Sequence, residues 1–87
     1  APQDVIYVKS EPVFYTFGEL VTNSEFPLKD GLIVKQAISI AGGLTPIAKS
    51  SVNIMRLSGD GTYKTIRATM DTVLVENDII VAEESLF

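Results

Sequence analysis

One stretch of this chain, and only one, repeats its apolar residues at helical spacing. Ile33, Val34, Ala37, Ile38, Ile40, Ala41 and Leu44 follow the i, i+3, i+4, i+7 pattern, with Lys35, Gln36 and Ser39 on the opposite side. Asp30 stands where an N-cap is needed, because its carboxylate can accept from the first free N–H groups of a helix. Gly42-Gly43 ends the stretch, since glycine takes the left-handed conformation without penalty, and Pro46 prevents resumption. The spacing predicts one helix over about Asp30 to Ala41. A lone amphipathic helix must bury its stripe against something, and the rest of the chain supplies only strands. The expected fold class is α+β, with one helix packed across a mixed sheet.

The strand candidates bracket that helix. Asp4 to Val8 is a short β-prone run, interrupted by Lys9-Ser10-Glu11-Pro12. Val13 to Val21 is rich in β-branched and aromatic residues, and Gly18 inside it reads as a bulge rather than a ligand's close approach. Thr22-Asn23-Ser24-Glu25 has turn chemistry, because short polar side chains satisfy the local backbone. Phe26-Pro27-Leu28 is a shorter strand that belongs at an edge, since Pro27 donates nothing to a ladder. Ser51 to Leu57 and Thr62 to Ala68 form a hairpin across Ser58-Gly59-Asp60-Gly61. Val73 to Val75 and Ile79 to Val81 flank the turn Glu76-Asn77-Asp78. Ubiquitin-like β-grasp domains use this order, as do other α+β folds. Asp4-Val5-Ile6-Tyr7-Val8 also echoes Asp78-Ile79-Ile80-Val81, a match short enough to arise by chance.

The 87 residues suit a single domain that folds without staples. No apolar run approaches the roughly 20 residues of a membrane span. No basic segment followed by an apolar stretch marks a signal peptide, which says little about compartment, because the abrupt ends suggest a fragment with room for a targeting segment upstream. Cysteine and histidine are both missing, which removes thiolate zinc sites, cysteine nucleophiles and imidazole-dependent triads. Seven basic residues are scattered among eleven acidic ones, so the concentrated basic face that nucleic acid demands is not expected.

The chemistry-bearing types have structural explanations. Gly42-Gly43 follows a helix, whereas phosphate loops precede one. Glu83-Glu84, and Glu76 with Asp78, read as solvated charge rather than an acid/base pair. Asp60, Asp71 and Asp78 lack EF-hand spacing. No catalytic, cofactor or metal residue is assigned. Among the aromatics, alternation puts Val13, Tyr15 and Phe17 on one strand face and Phe14 and Thr16 on the other. One face is core, and the other is free for an interface. Core alone explains most of Phe14, Tyr15, Phe17, Phe26 and Tyr63, and Phe14, Tyr15 and Tyr63 are the candidate ligand or interface residues.

Residues 13–87 resemble a known family in an ordered set of motifs. Val13-Phe14-Tyr15-Thr16-Phe17-Gly18-Glu19-Leu20-Val21 is similar to the "V-x-V-x-G-E-V" opening strand of SLBB (soluble ligand-binding β-grasp) domains. Leu32 to Thr45 resembles the family helix ending in Ala-Gly-Gly-x-Thr. Ala48 and Val52-Asn53-Ile54-Met55-Arg56 resemble the "A…V-x-(I/L)-x-R" strand. Asn77 to Val81 with Glu84-Ser85-Leu86-Phe87 resembles the closing "G-D-x-I-x-V-x-E-S-x-F". Two turns depart from the pattern: Asn23-Ser24-Glu25 stands for Asn-Pro-Gly, and Glu76-Asn77-Asp78 for Pro-Gly-Asp. The combination is most similar to the SLBB domain of bacterial polysaccharide biosynthesis/export proteins, the Wza-like outer-membrane exporters.

The resemblance implies a β-grasp fold over 13–87, with 1–12 a strand or linker continuing from a preceding module. It implies a non-enzymatic periplasmic module of an outer-membrane-associated exporter of capsule or exopolysaccharide, working by oligomeric assembly of a conduit. Expected partners are other copies through the parent protein, neighbouring domains of the same chain, and the polysaccharide as a candidate contact. Neither cofactor, nucleic acid nor direct membrane insertion is expected. The rival readings are a module that binds a glycan or other small molecule, and an accessory domain of a redox complex. A fragment this small is expected to be monomeric or weakly associating alone, because its own core takes most of its apolar residues.

Overall fold

The computed structural model describes residues 11–85. The Asp4 to Val8 run, and with it the first half of the internal echo, all but the end of the 1–12 linker, and Leu86-Phe87 lie outside the described residues. Six elements follow in order: β1 (Val13–Gly18), β2 (Glu25–Pro27), α1 (Val34–Ile40), β3 (Val52–Leu57), β4 (Tyr63–Ala68) and β5 (Ile79–Ala82). The strands form one mixed sheet in the order β2-β1-β5-β3-β4. β1 and β5, the first and last strands, are parallel neighbours, and every other pairing is antiparallel. The molecule is thus a small α+β domain with one helix and a five-stranded mixed sheet.

Two-residue alternation sets which side of the sheet meets the helix. Phe14 and Thr16 of β1, Val52 and Ile54 of β3, Ala68 of β4, and Ile80 and Ala82 of β5 are all buried. Val34, Ala37 and Ile38 of α1, with Ala41, pack in the same cluster, closed by Leu20, Leu32 and Leu74. Burying a side chain the size of Ile54 contributes about 1.5–3 kcal/mol. Phe14 stacks on Phe26 of β2 with ring centroids 5.5 Å apart. Pro27 lies in the edge strand, where its missing N–H breaks no ladder.

The helix begins later than the sequence predicts. Asp30 is exposed and is not the cap; α1 starts after Ile33, whose backbone is extended (φ −107, ψ 164). The competing partner is tertiary. Val34 N–H donates to Thr72 O (3.0 Å) and Lys35 N–H to Met70 O (2.9 Å), so carbonyls of the 70–72 turn take the donors a cap would satisfy. Gln36 Oε1 accepts from Ile33 N–H at 3.1 Å. Ile40, counted in the stripe, is 50% exposed, because the buried face follows Val34, Ala37, Ile38 and Ala41 and leaves position 40 on the flank.

The helix ends as its glycines dictate. Gly42 (φ 93) and Gly43 (φ 98) are both left-handed. Gly43 N–H reaches back to Ile38 O (2.9 Å) and Gly42 N–H to Ser39 O (3.0 Å), the paired bonds of a Schellman motif. Val21 N–H donates to Gly43 O and Thr22 N–H to Ala41 O, which docks the helix end onto the segment after β1. Gly18 (φ 98) is no bulge inside a longer strand; it is the last residue of β1, in register with Ala82. A Cβ there would run into the Ala82 carbonyl oxygen, so the close approach is to a neighbouring strand. Val73 to Val75 is not a strand: Val73 makes a single bridge to Ile33.

Candidate functional site

The residues left over by the core form a second face. In register, Tyr15 of β1, Ile79 of β5, Met55 of β3 and Thr65 of β4 make one row across the sheet, continued by Glu25 of β2. Phe17, Val81, Asn53 and Arg67 make the next. Leu57 and Tyr63 pair at one end, and Val13 with Pro27 at the other side of the same level. No element packs on this side among the described residues. Phe17 is 64% exposed, while Tyr15, Met55, Ile79 and Val81 are half-buried. Together they line a shallow depression of ≈ 400 Å³. An apolar centre with polar edges is the composition of a contact surface.

The three candidate residues part company here. Phe14 is fully buried, in the core and on the opposite face. Tyr15 lies at the middle of the open face, and Tyr63 is exposed on the outer strand β4. Phe17, Met55, Ile79 and Val81 belong to the same face, although the sequence alone does not mark them as site residues. The signal was the two-residue alternation of β1, β3 and β5; what it lacked was the strand order that puts β5 between β1 and β3.

The start of β5 is fixed by a charge that the sequence reading places in water. Asp78 is fully buried, not solvated. Arg56 grips it with two bonds, Nε to Oδ1 at 3.0 Å and Nη2 to Oδ2 at 2.8 Å. Val75 N–H also donates to Asp78 Oδ2 (2.9 Å), and Arg56 Nη2 to Val73 O (3.2 Å). The hydrogen bond and charge of Asp78 raise the Arg56 pKa above its ordinary value, against the opposing effect of burial. A buried carboxylate without a partner would be prohibitive, and the Arg56 guanidinium is what lets Asp78 leave water. Asn77 holds the left-handed turn just before (φ 70), and its N–H bonds Val13 O. The pair therefore holds the turn from which Ile79 and Val81 emerge onto the open face.

Of the other carboxylates, Asp60, Glu83 and Glu19 each have a local task. Asp60 accepts from Ser58 Oγ (2.6 Å), Thr62 Oγ1 (2.7 Å) and Thr62 N–H (3.1 Å), which lowers its pKa to about 2. Glu83 pairs with Lys49 across 3.3 Å. Glu19 accepts from Thr45 Oγ1 at 2.9 Å, joining the segment after β1 to the segment after the helix. Among the described residues no cluster of three acidic groups is arranged to hold a metal ion. No protein-family model matches the sequence, and no curated protein matches it closely enough to count as a relative.

Proposed function

We propose that this chain is a non-enzymatic β-grasp module that works by binding and assembly, within the periplasmic part of an outer-membrane polysaccharide export protein. The observation that carries the proposal is the open sheet face, an apolar platform of Tyr15, Phe17, Met55, Ile79 and Val81 beside a fully formed core. A helix across one side of a mixed sheet whose first and last strands are parallel neighbours supports the β-grasp reading. So does the contact between motif positions far apart in sequence: Glu19 with Thr45, and Arg56 with Asp78. The mechanism is geometric. A rigid module presents a flat surface, and assembly follows when that surface meets a matching one on another module of the parent complex.

The test is to replace Phe17 and Val81 together by Ser in the parent protein and follow both its assembly and polysaccharide secretion. Loss of both is expected. Normal assembly and secretion by a stably folded double variant would overturn the reading. A second reading, a module that holds a small molecule or glycan, is favoured by the depression between Tyr15, Phe17 and Met55. Titration calorimetry of the isolated chain with neutral oligosaccharides separates the two, since saturable binding by a monomer belongs only to the second.

A further inference from the structure

We infer that the open face pairs with the same face of a second copy of this chain, sheet on sheet, about a two-fold axis running along β5. Within the five strands, this face carries only two charged residues, and they sit on opposite outer strands with opposite signs: Glu25 on β2 and Arg67 on β4. Both are exposed, and neither has an ion-pair partner among the described residues. β5 is the central strand, with two strands on either side.

Those facts select one arrangement. A two-fold axis along β5 lays β5 on β5, β1 over β3, and β2 of one copy over β4 of the other. Ile79 and Val81 then meet their own counterparts, Tyr15 meets Met55, and Phe17 covers Asn53. Glu25 comes to lie opposite Thr65, one row of roughly 7 Å from Arg67 and within reach of its long side chain. The pair makes this contact twice. A two-fold axis across the strands instead lays β2 on β2 and β4 on β4, so each charge has its own kind on the facing strand and no opposite charge near, and like-charge repulsion rejects it. Sheets packed in this aligned way sit about 10 Å apart with side chains interdigitated.

The area predicts a weak pair. Five strands about 4.8 Å apart and three rows about 7 Å apart cover roughly 500 Å² per copy, on the order of 1,000 Å² for two. Stable complexes bury about 1,200–2,000 Å². The inference rests on the assembly reading and names its partner, but the two can fail separately. A two-fold contact closes on itself, so it joins two assemblies and does not grow a ring.

Sedimentation equilibrium of the whole chain tests it. The average mass should rise toward that of a dimer as concentration enters the millimolar range. Glu25→Arg and Arg67→Glu should each weaken association by roughly threefold or more, and the double exchange should restore it. Phe17→Glu should abolish it while leaving the unfolding temperature unchanged. A mass that stays monomeric at every concentration overturns the inference, as does a double exchange that fails to restore what the single reversals lose. Association that survives Phe17→Glu means that another surface mediates it; that result overturns the inference, and the assembly reading is then decided by the Phe17 and Val81 variant of the parent protein. Binding of a neutral oligosaccharide at this face, with no self-association, overturns both.

Discussion

The two faces of the sheet are written by the same alternating strands, yet they have opposite fates. On one side Phe14, Ile54 and Ile80 disappear under a helix of seven residues. On the other, their sequence neighbours Tyr15, Met55 and Ile79 stay partly open, with Phe17 protruding beside them. Adjacent residues on one strand therefore carry different burdens. The covered face decides whether the chain folds. The open face is apolar beyond what folding requires, and that surplus is where contact with another molecule is to be sought.

The comparison breaks most readily at its hidden charge. Asp78→Ala should cost about 3 kcal/mol, because it strips Arg56 and the Val75 N–H of a buried acceptor. Denaturant unfolding measures it, and a midpoint equal to that of the wild type would show that the ion pair does not hold the 75–78 turn. Next come the helix-end glycines. Gly42→Val should destabilise by about 2 kcal/mol and Gly43→Val by about 1, since both force a β-branched residue to positive φ. Only at Gly42 does the new Cβ press on a neighbour, Val21 at 3.0 Å. An inverted order of the two midpoints would contradict the packing at the helix end. On the open side, Phe17→Ser should shift stability by less than about 0.5 kcal/mol, as an exposed position should.

Much of this architecture is legible in the sequence, and the failures share a cause. The buried stripe of α1 follows from spacing, and its end from two glycines. Pro27 correctly marks an edge. By contrast, the start at Ile33 rather than Asp30 depends on carbonyls from the distant 70–72 turn, and Val73 to Val75 fails as a strand because only Ile33 meets it. Asp78 reads as a solvated charge until Arg56, on another strand, is brought beside it. The two faces of β1 were visible as alternatives, but alternation cannot say which one the helix covers. Phe14 as an interface candidate and Val81 as an unnoticed one are two sides of that gap.

The smallest effect concerns pH. Folding lowers the Asp60 pKa from 3.8 to about 2 through its bonds from Ser58 and Thr62. A depressed carboxylate stabilises the fold fully above its unfolded value, and that contribution disappears as pH falls from about 4 through about 2. The group is fully exposed, so the effect on stability is slight and the titration itself is the observable. Carboxyl chemical shifts should place Asp60 well below an ordinary aspartate, and Ser58→Ala should bring it back up. An unchanged titration in that variant would remove the hydrogen-bond explanation.

The most direct test uses two neighbours on the central strand. Ile80 is fully buried beneath the helix, while Ile79 faces the open side between Tyr15 and Met55. Thermal unfolding of Ile80→Asp and Ile79→Asp, measured side by side, asks whether the faces differ as described. Ile80→Asp should abolish the cooperative transition, because an unpaired buried charge costs several kcal/mol or more. Ile79→Asp should keep a cooperative transition with only a modest loss, of about 1 kcal/mol. Equal collapse of both variants, or survival of both, would contradict the division of labour between the two faces.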